Sequence, residues 1–154
     1  MNEPNIRMIT DSCKYTLRAS ALIIRDGHLL TAHYGDQKCC YTVGGGVQLG
    51  ESSLEAVKRE MREELGCELS IVRLLYVQER FYSFQGLKHH ETVFFYLVDG
   101  SECKAVDGVH TDQALETLHW ISMNELKHTD IVPHFLRDGL DELPLQPVHL
   151  ISYE

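Results

Sequence analysis

Three glutamates, Glu60, Glu63 and Glu64, crowd into one turn and a half of a segment with helical periodicity. Like charges three or four residues apart repel, so a helix gains nothing from this crowding. At about 100° per residue, Leu54, Val57, Met61 and Leu65 form one apolar stripe, and the glutamates lie beside that stripe, not opposite it. Lys58, Arg62 and Glu55 point to the solvent side, and small Ala56 falls among the glutamates, which predicts open space above them. Carboxylates at the edge of a buried face repel strongly unless a positive charge offsets them. Hard divalent cations bind oxygen ligands, and Mg²⁺ suits clustered carboxylates that work together with substrate phosphates.

The elements that must hold these groups are legible around them. Ser52-Ser53-Leu54-Glu55 has capping-box spacing, with Ser52 as the N-cap, and Gly66 is a natural residue to close the helix. Ahead of it stands Gly44-Gly45-Gly46, whose backbone can approach a ligand closely and offer a carbonyl to a metal. The run from Gly45 to Gly50 is no P-loop, because Glu51 stands where the lysine is required. Upstream, residues 15–24 and 29–34 read as strands joined at Asp26-Gly27, a hairpin signal. Residues 39–43 give a short strand into the glycines. Downstream, strand signals cover 69–78, 91–98 and 118–121, and residues 81–89 read as an irregular aromatic loop. Residues 99–113 read as a flexible excursion, Ser122 to Leu126 as a helix start, Pro133 to Leu140 as a final helix, and 148–153 as an edge strand. Residues 1–14 read as a loose leader.

Length and composition narrow the class. One domain is expected over the 154 residues, long enough to build a core without disulfides. The formal net charge of −9 argues against binding bulk nucleic acid through a basic surface. Five cysteines without CxxC spacing read as free thiols of a reducing, cytoplasmic compartment. No apolar run approaches the roughly 18 residues of a membrane span. None of the histidines has HExxH spacing, which speaks against a zinc site.

Gly45, Glu51, Arg59-Glu60, Glu63-Glu64 and Gly66, with Cys67 in the closing hydrophobic position, together resemble the signature box of the Nudix hydrolases. Tyr41 to Gln48 leading into the box, His90-Glu91 entering an apolar strand, and Leu118 to Ser122 followed by Glu125-Leu126 are similar to the family as well. The resemblance implies an α/β fold, an α/β/α sandwich with a mixed β-sheet between helices and the box as loop–helix–loop. It also implies hydrolysis of a pyrophosphate bond in a nucleoside diphosphate derivative, with Mg²⁺ or, in its place, Mn²⁺. Glu60 and Glu64 would then be metal ligands, Glu63 a ligand or the group that activates water, and the Gly44 carbonyl a further ligand. Arg59 would orient a glutamate, while Glu51 and Gly66 would brace the motif. Glu63 and then Glu91 are the candidates for the general base. The family often carries a glutamate about six residues before the late tryptophan, where this chain has Ala114; Glu116 is near but out of step. Many relatives are dimers, so a homodimer is possible on the resemblance.

For the substrate, Arg18 is a candidate partner of phosphate, Tyr41 a candidate stacking surface, and Gly45 and Gly46 candidate backbone contacts. Tyr82, Phe81 and Phe84 are further aromatics able to stack on a base. The downstream marks of several Nudix subgroups are missing, which leaves nucleoside triphosphates, oxidised nucleotides and nucleotide sugars such as ADP-ribose. A nucleotide-binding sensor on the same fold is the alternative, and the intact glutamates weigh against it.

Overall fold

The computed structural model describes residues 3–105, 107–108 and 116–154. The strands among them are β1 (Arg7–Ile9), β2 (Cys13–Arg25), β3 (His28–Tyr34), β4 (Cys40–Gly46), β5 (Ile71–Phe84), β6 (Leu87–Asp99), β7 (Glu116–Ser122) and β8 (Val148–Tyr153). Helix α1 (Ser53–Leu65) lies between β4 and β5, and a short α2 (Met123–Leu126) follows β7. The strands make one sheet in the order β7-β3-β4-β2-β6-β5-β8, with β1 beside β2. The sheet is mixed: β2 runs parallel to β6 and β5 parallel to β8, while the other pairs are antiparallel.

The apolar run of β2 explains the layering. Ala19, Ala21 and Ile23 point to one side, where they pack with Val57 and Met61 of α1. Leu22 points to the other, among Phe95, Leu126, Ile131 and Leu136. A strand buried on both faces reads as continuous apolar sequence, as this one does. Fully burying a side chain such as Leu22 or Met61 is worth about 2 kcal/mol. The sheet therefore lies between α1 and the 123–140 segment, the expected α/β/α arrangement.

Local chemistry sets the ends of these elements. Asp26 and Gly27 both have positive φ, as a two-residue primed turn requires, and Arg25 pairs with His28 across it. The Ser52 hydroxyl accepts from the Glu55 amide at 3.2 Å while Glu55 accepts from the Ser52 amide at 2.8 Å. Gly66 closes α1 in the left-handed conformation and donates to the Arg62 carbonyl at 3.0 Å.

Four expectations are corrected. Residues 81–89 are not an irregular loop: β5 and β6 form one long hairpin that turns at Gln85-Gly86, both with positive φ. Their histidines serve as flat cross-strand partners, His90 stacked on Phe81 and His89 on Tyr82. The leader is not loose from Pro4 onward. The Ile6 amide donates to the Val47 carbonyl at 2.7 Å and the Leu49 amide to the Pro4 carbonyl at 2.9 Å, and β1 continues along β2 where β4 has left it. The final helix shrinks to a 3-10 turn at His134–Arg137. On α1, Ala56 is buried in the core and Leu54 lies partly exposed, so the stripe is rotated from the wheel and no open space surrounds Ala56.

Candidate functional site

The glycine-rich end of β4 and helix α1 meet through one arginine. Arg59 donates from Nε to Glu51 Oε1 at 2.8 Å, from Nη2 to the Gly46 carbonyl at 2.8 Å, and from Nη1 to Glu60 Oε1 at 2.6 Å and Glu63 Oε2 at 3.1 Å. Glu51 also accepts from the Gln48 amide at 2.9 Å, which ties the loop to the helix. Its carboxyl is held below the usual range by Arg59. The Glu60 carboxylate lies directly against Gly45, and a Cβ on that residue would stand 2.5 Å from Glu60 Cδ. A Cβ on Gly44 would strike the backbone of β2, 2.8 Å from Ser20 Cα, and Asn5 covers Gly46 in the same way.

Behind this hub the carboxylates are unequal. Glu63 is on the rim, with its side chain 40% exposed. Glu60 and Glu64 are buried. Burial pushes Glu64 up to about 9, aided by the charges of Glu116 and Glu60, while the Gly44 amide pulls the other way. Burial also raises Glu60 against the pull of Arg59. Glu116, on β7 at the far edge of the sheet, is raised by burial and by Glu60. Its Oε2 is buried without a hydrogen-bond partner. Glu60, Glu64 and Glu116 thus share one poorly solvated region, and Arg18 is the cation whose field favours ionisation of all three.

Arg18 also opens onto a pocket on the other face of the sheet, lined by Tyr41, Arg80, Tyr82, Glu91 and Pro133 among others. Inside it Glu91 accepts from Tyr82 Oη at 3.1 Å and from Arg80 Nη1 at 3.4 Å. The Arg80 guanidinium lies 4.1 Å above the Tyr82 ring. Tyr41 donates to Gln37 at 2.7 Å. Phe81 and Phe84 are not in this lining: Phe81 is stacked between His90 and Tyr153, and Phe84 is exposed at the hairpin tip.

The model of the NUDIX domain matches residues 14–140, most of the chain. The chain belongs to the Nudix domain family. A Caenorhabditis elegans protein named "Putative nudix hydrolase 1" is 28% identical over an alignment of 141 positions that covers 82% of this chain and 36% of that protein. The chain therefore spans about a third of the length of this curated relative. Among solved structures, a MutT Nudix hydrolase from Burkholderia pseudomallei is 28% identical with a TM-score of 0.55, covering 71% of this chain and 84% of that one. A MutT protein from Bacillus halodurans is 17% identical with a TM-score of 0.64, covering 90% of each chain, a likeness of fold.

Nudix hydrolases generally use divalent metals, and the donor set here fits one. It consists of hard carboxylate oxygens, one of them buried and unpartnered on Glu116, in a region where burial and mutual repulsion raise the affinity of these acids for protons. As they stand, no three acidic, imidazole or thiol groups among the described residues converge tightly enough to enclose an ion. Glu60 Oε1 is taken up by Arg59. The structure thus gathers Glu60, Glu63, Glu64, Arg59, Glu51, Gly45 and Gly46 of the Nudix box, and Gly44 just before it, at one place, with Arg18 beside Gly46. Tyr41 and Glu91 lie in the adjoining pocket. Sequence reasoning did not select Glu116 or Arg80. Glu116 sits four residues before Trp120, and Ala114, the position that the family pattern singles out, lies outside the described residues.

Proposed function

We propose that this Nudix chain hydrolyses a pyrophosphate bond in a nucleoside diphosphate derivative: a nucleoside triphosphate, an oxidised nucleotide, or a nucleotide sugar such as ADP-ribose. The observation that carries the reading is the set of buried, mutually repelling carboxylates Glu60, Glu64 and Glu116, which feel the charge of Arg18, a residue that also lines the pocket on the other face of the sheet. Glu60, Glu64, Glu63 and Glu116, with the Gly44 carbonyl, would hold Mg²⁺, or Mn²⁺ in its place. Such an ion supplies charge neutralisation of the diphosphate and a more acidic bound water.

The chain's own groups have distinct tasks in this reading. Arg59 fixes the Glu60 and Glu63 carboxylates, and Glu51 fixes Arg59. Arg18 neutralises the phosphate nearest the pocket. Glu63, on the wet rim, takes the proton of the attacking water as the P–O bond to the leaving phosphate breaks. Glu91 is the second candidate for that proton, and its bonds to Tyr82 and Arg80 favour a part in holding the nucleoside end. The Tyr41 and Tyr82 rings offer it flat surfaces.

The test is a panel of nucleoside triphosphates, an oxidised guanine nucleotide and ADP-ribose, with Mg²⁺ or Mn²⁺ and product identification, run beside Glu64→Gln and Glu63→Gln. Turnover lost in both variants is the expected result. Tight nucleotide binding without any phosphate release would favour a sensor. Undiminished turnover in both variants would overturn the site.

A further inference from the structure

Arg80 is the best anchored charge in the pocket, and its anchor comes from outside the Nudix box. Its Nε donates to Glu154 Oε2 at 2.6 Å, on the side of the guanidinium away from Glu91. The side chains of Arg80, Glu91 and Glu154 are each only 12% exposed, so the pairs Glu154–Arg80 and Arg80–Glu91 stand in poorly solvated surroundings. The second oxygen of Glu154 accepts from the His134 amide at 3.1 Å, next to Pro133, which also lines the pocket. Glu154 therefore ties two parts of the lining together, Arg80 on β5 and the turn at 132–134. It reaches both because β8 runs parallel to β5, with Tyr153 beside Phe81 and the Glu154 amide donating to the Phe81 carbonyl at 2.8 Å.

We infer that Glu154 is a positioning residue for the nucleoside end of the substrate: it sets the Arg80 guanidinium over Tyr82 and against Glu91, and holds the 132–134 wall at the matching distance. This rests on the reading of the pocket given above. A guanidinium with two carboxylate neighbours is fixed in plane and direction. Freed from Glu154, it keeps only the longer 3.4 Å bond to Glu91, and the ring stack has to hold it. The residue acts through Arg80 and through backbone, so its loss weakens binding and leaves the bond-breaking groups near Glu60 untouched.

The test is a double-mutant cycle of Glu154→Gln and Arg80→Ala in the full chain. Glu154→Gln keeps the size of the side chain and an oxygen for the His134 amide while removing the charge that holds Arg80. AMP, GMP, CMP, UMP and the monophosphate of the oxidised guanine nucleotide serve as calorimetric probes, and KM and kcat are read on the best substrate of the panel. We expect Glu154→Gln to raise Kd and KM about tenfold with kcat within about twofold, and to have no further effect once Arg80 is alanine. Glu154→Asp with a partial return of affinity would support the same tie. An equal effect of Glu154→Gln in both backgrounds, or a lower Tm with unchanged Kd and KM, would overturn it. If Arg80→Ala itself leaves Kd and KM unchanged, the fault lies with the pocket reading and the positioning role falls with it.

Discussion

The Glu60 carboxylate occupies the space where Gly45 would carry a side chain. Loop and helix are fitted to each other there at atomic contact, and the fit is what lets a buried acid approach the backbone of β4. Gly45→Ala would push Glu60 away from Arg59 and from its neighbours. We expect at least a hundredfold loss of kcat/KM, about 3 kcal/mol in transition-state terms, with a change of a few degrees in Tm.

The acids of the site make the metal-free protein sensitive to alkali. Glu64 is pushed up to about 9, and Glu60 and Glu116 are raised as well, all chiefly by burial. The folded chain therefore holds protons that the unfolded chain has already released above the usual carboxylate range. Stability is highest at the acid side of that window and declines as pH rises toward about 9. Thermal melts of chelator-treated protein between these limits should show the decline, and Glu64→Gln should flatten it. Added Mg²⁺ should flatten it too, and its binding at neutral pH should release protons, seen as a buffer-dependent heat in calorimetry.

Glu116→Gln separates repulsion from ligation. The buried Oε2 has no partner, and the charge lies near Glu60 and Glu64. Removing the charge should raise the Tm of metal-free protein slightly while weakening Mg²⁺ or Mn²⁺ affinity about ten- to a hundredfold. Metal titrations monitored by melting temperature read both effects in one series.

Arg59→Lys is a sharp test of geometry as against charge. The guanidinium serves Glu51, Glu60, Glu63 and the Gly46 carbonyl at once, and an ammonium on a flexible stem cannot reach that fan of acceptors. Activity should fall by roughly a hundredfold and stability by about 2 kcal/mol, because Glu51 and Glu60 are left largely buried and partly unpaired. Denaturant unfolding beside steady-state kinetics measures the two losses.

Much of this was legible in the chain because the cues were local. The Ser52 capping box, the Gly66 stop and the Asp26-Gly27 turn each depend on residues within a few positions, and each stands in the structure as read. The family box spans a stretch short enough to be recognised whole. What escaped depends on partners far away in sequence. Residues 81–89 lack apolar alternation because their cross-strand partners are histidines, and the pairing of Phe81 with His90 is visible only once β5 and β6 are placed side by side. The anchoring of Pro4 and Ile6 depends on Leu49, Val47 and Leu17, and that of β1 on an edge of β2 that β4 leaves free. Glu116 reaches the site from β7, the opposite edge of the sheet from β8, so no spacing within the box points to it.

The parallel pairing of β2 with β6 joins Cys13 to Lys88 and Ile24 to Asp99, a constant offset of 75 residues. Arg18 lies beside Val93 in this seam, and Thr16 beside Glu91. Contacts so distant along the chain close slowly, since the loop entropy must be met before any of them forms. Helix α1 and the hairpins β2–β3 and β5–β6 can form early by themselves, but the pocket exists only after this seam has zipped. During refolding, helical signal should therefore recover well ahead of ligand binding, and mutations along the seam should slow the return of activity more than they lower the final yield.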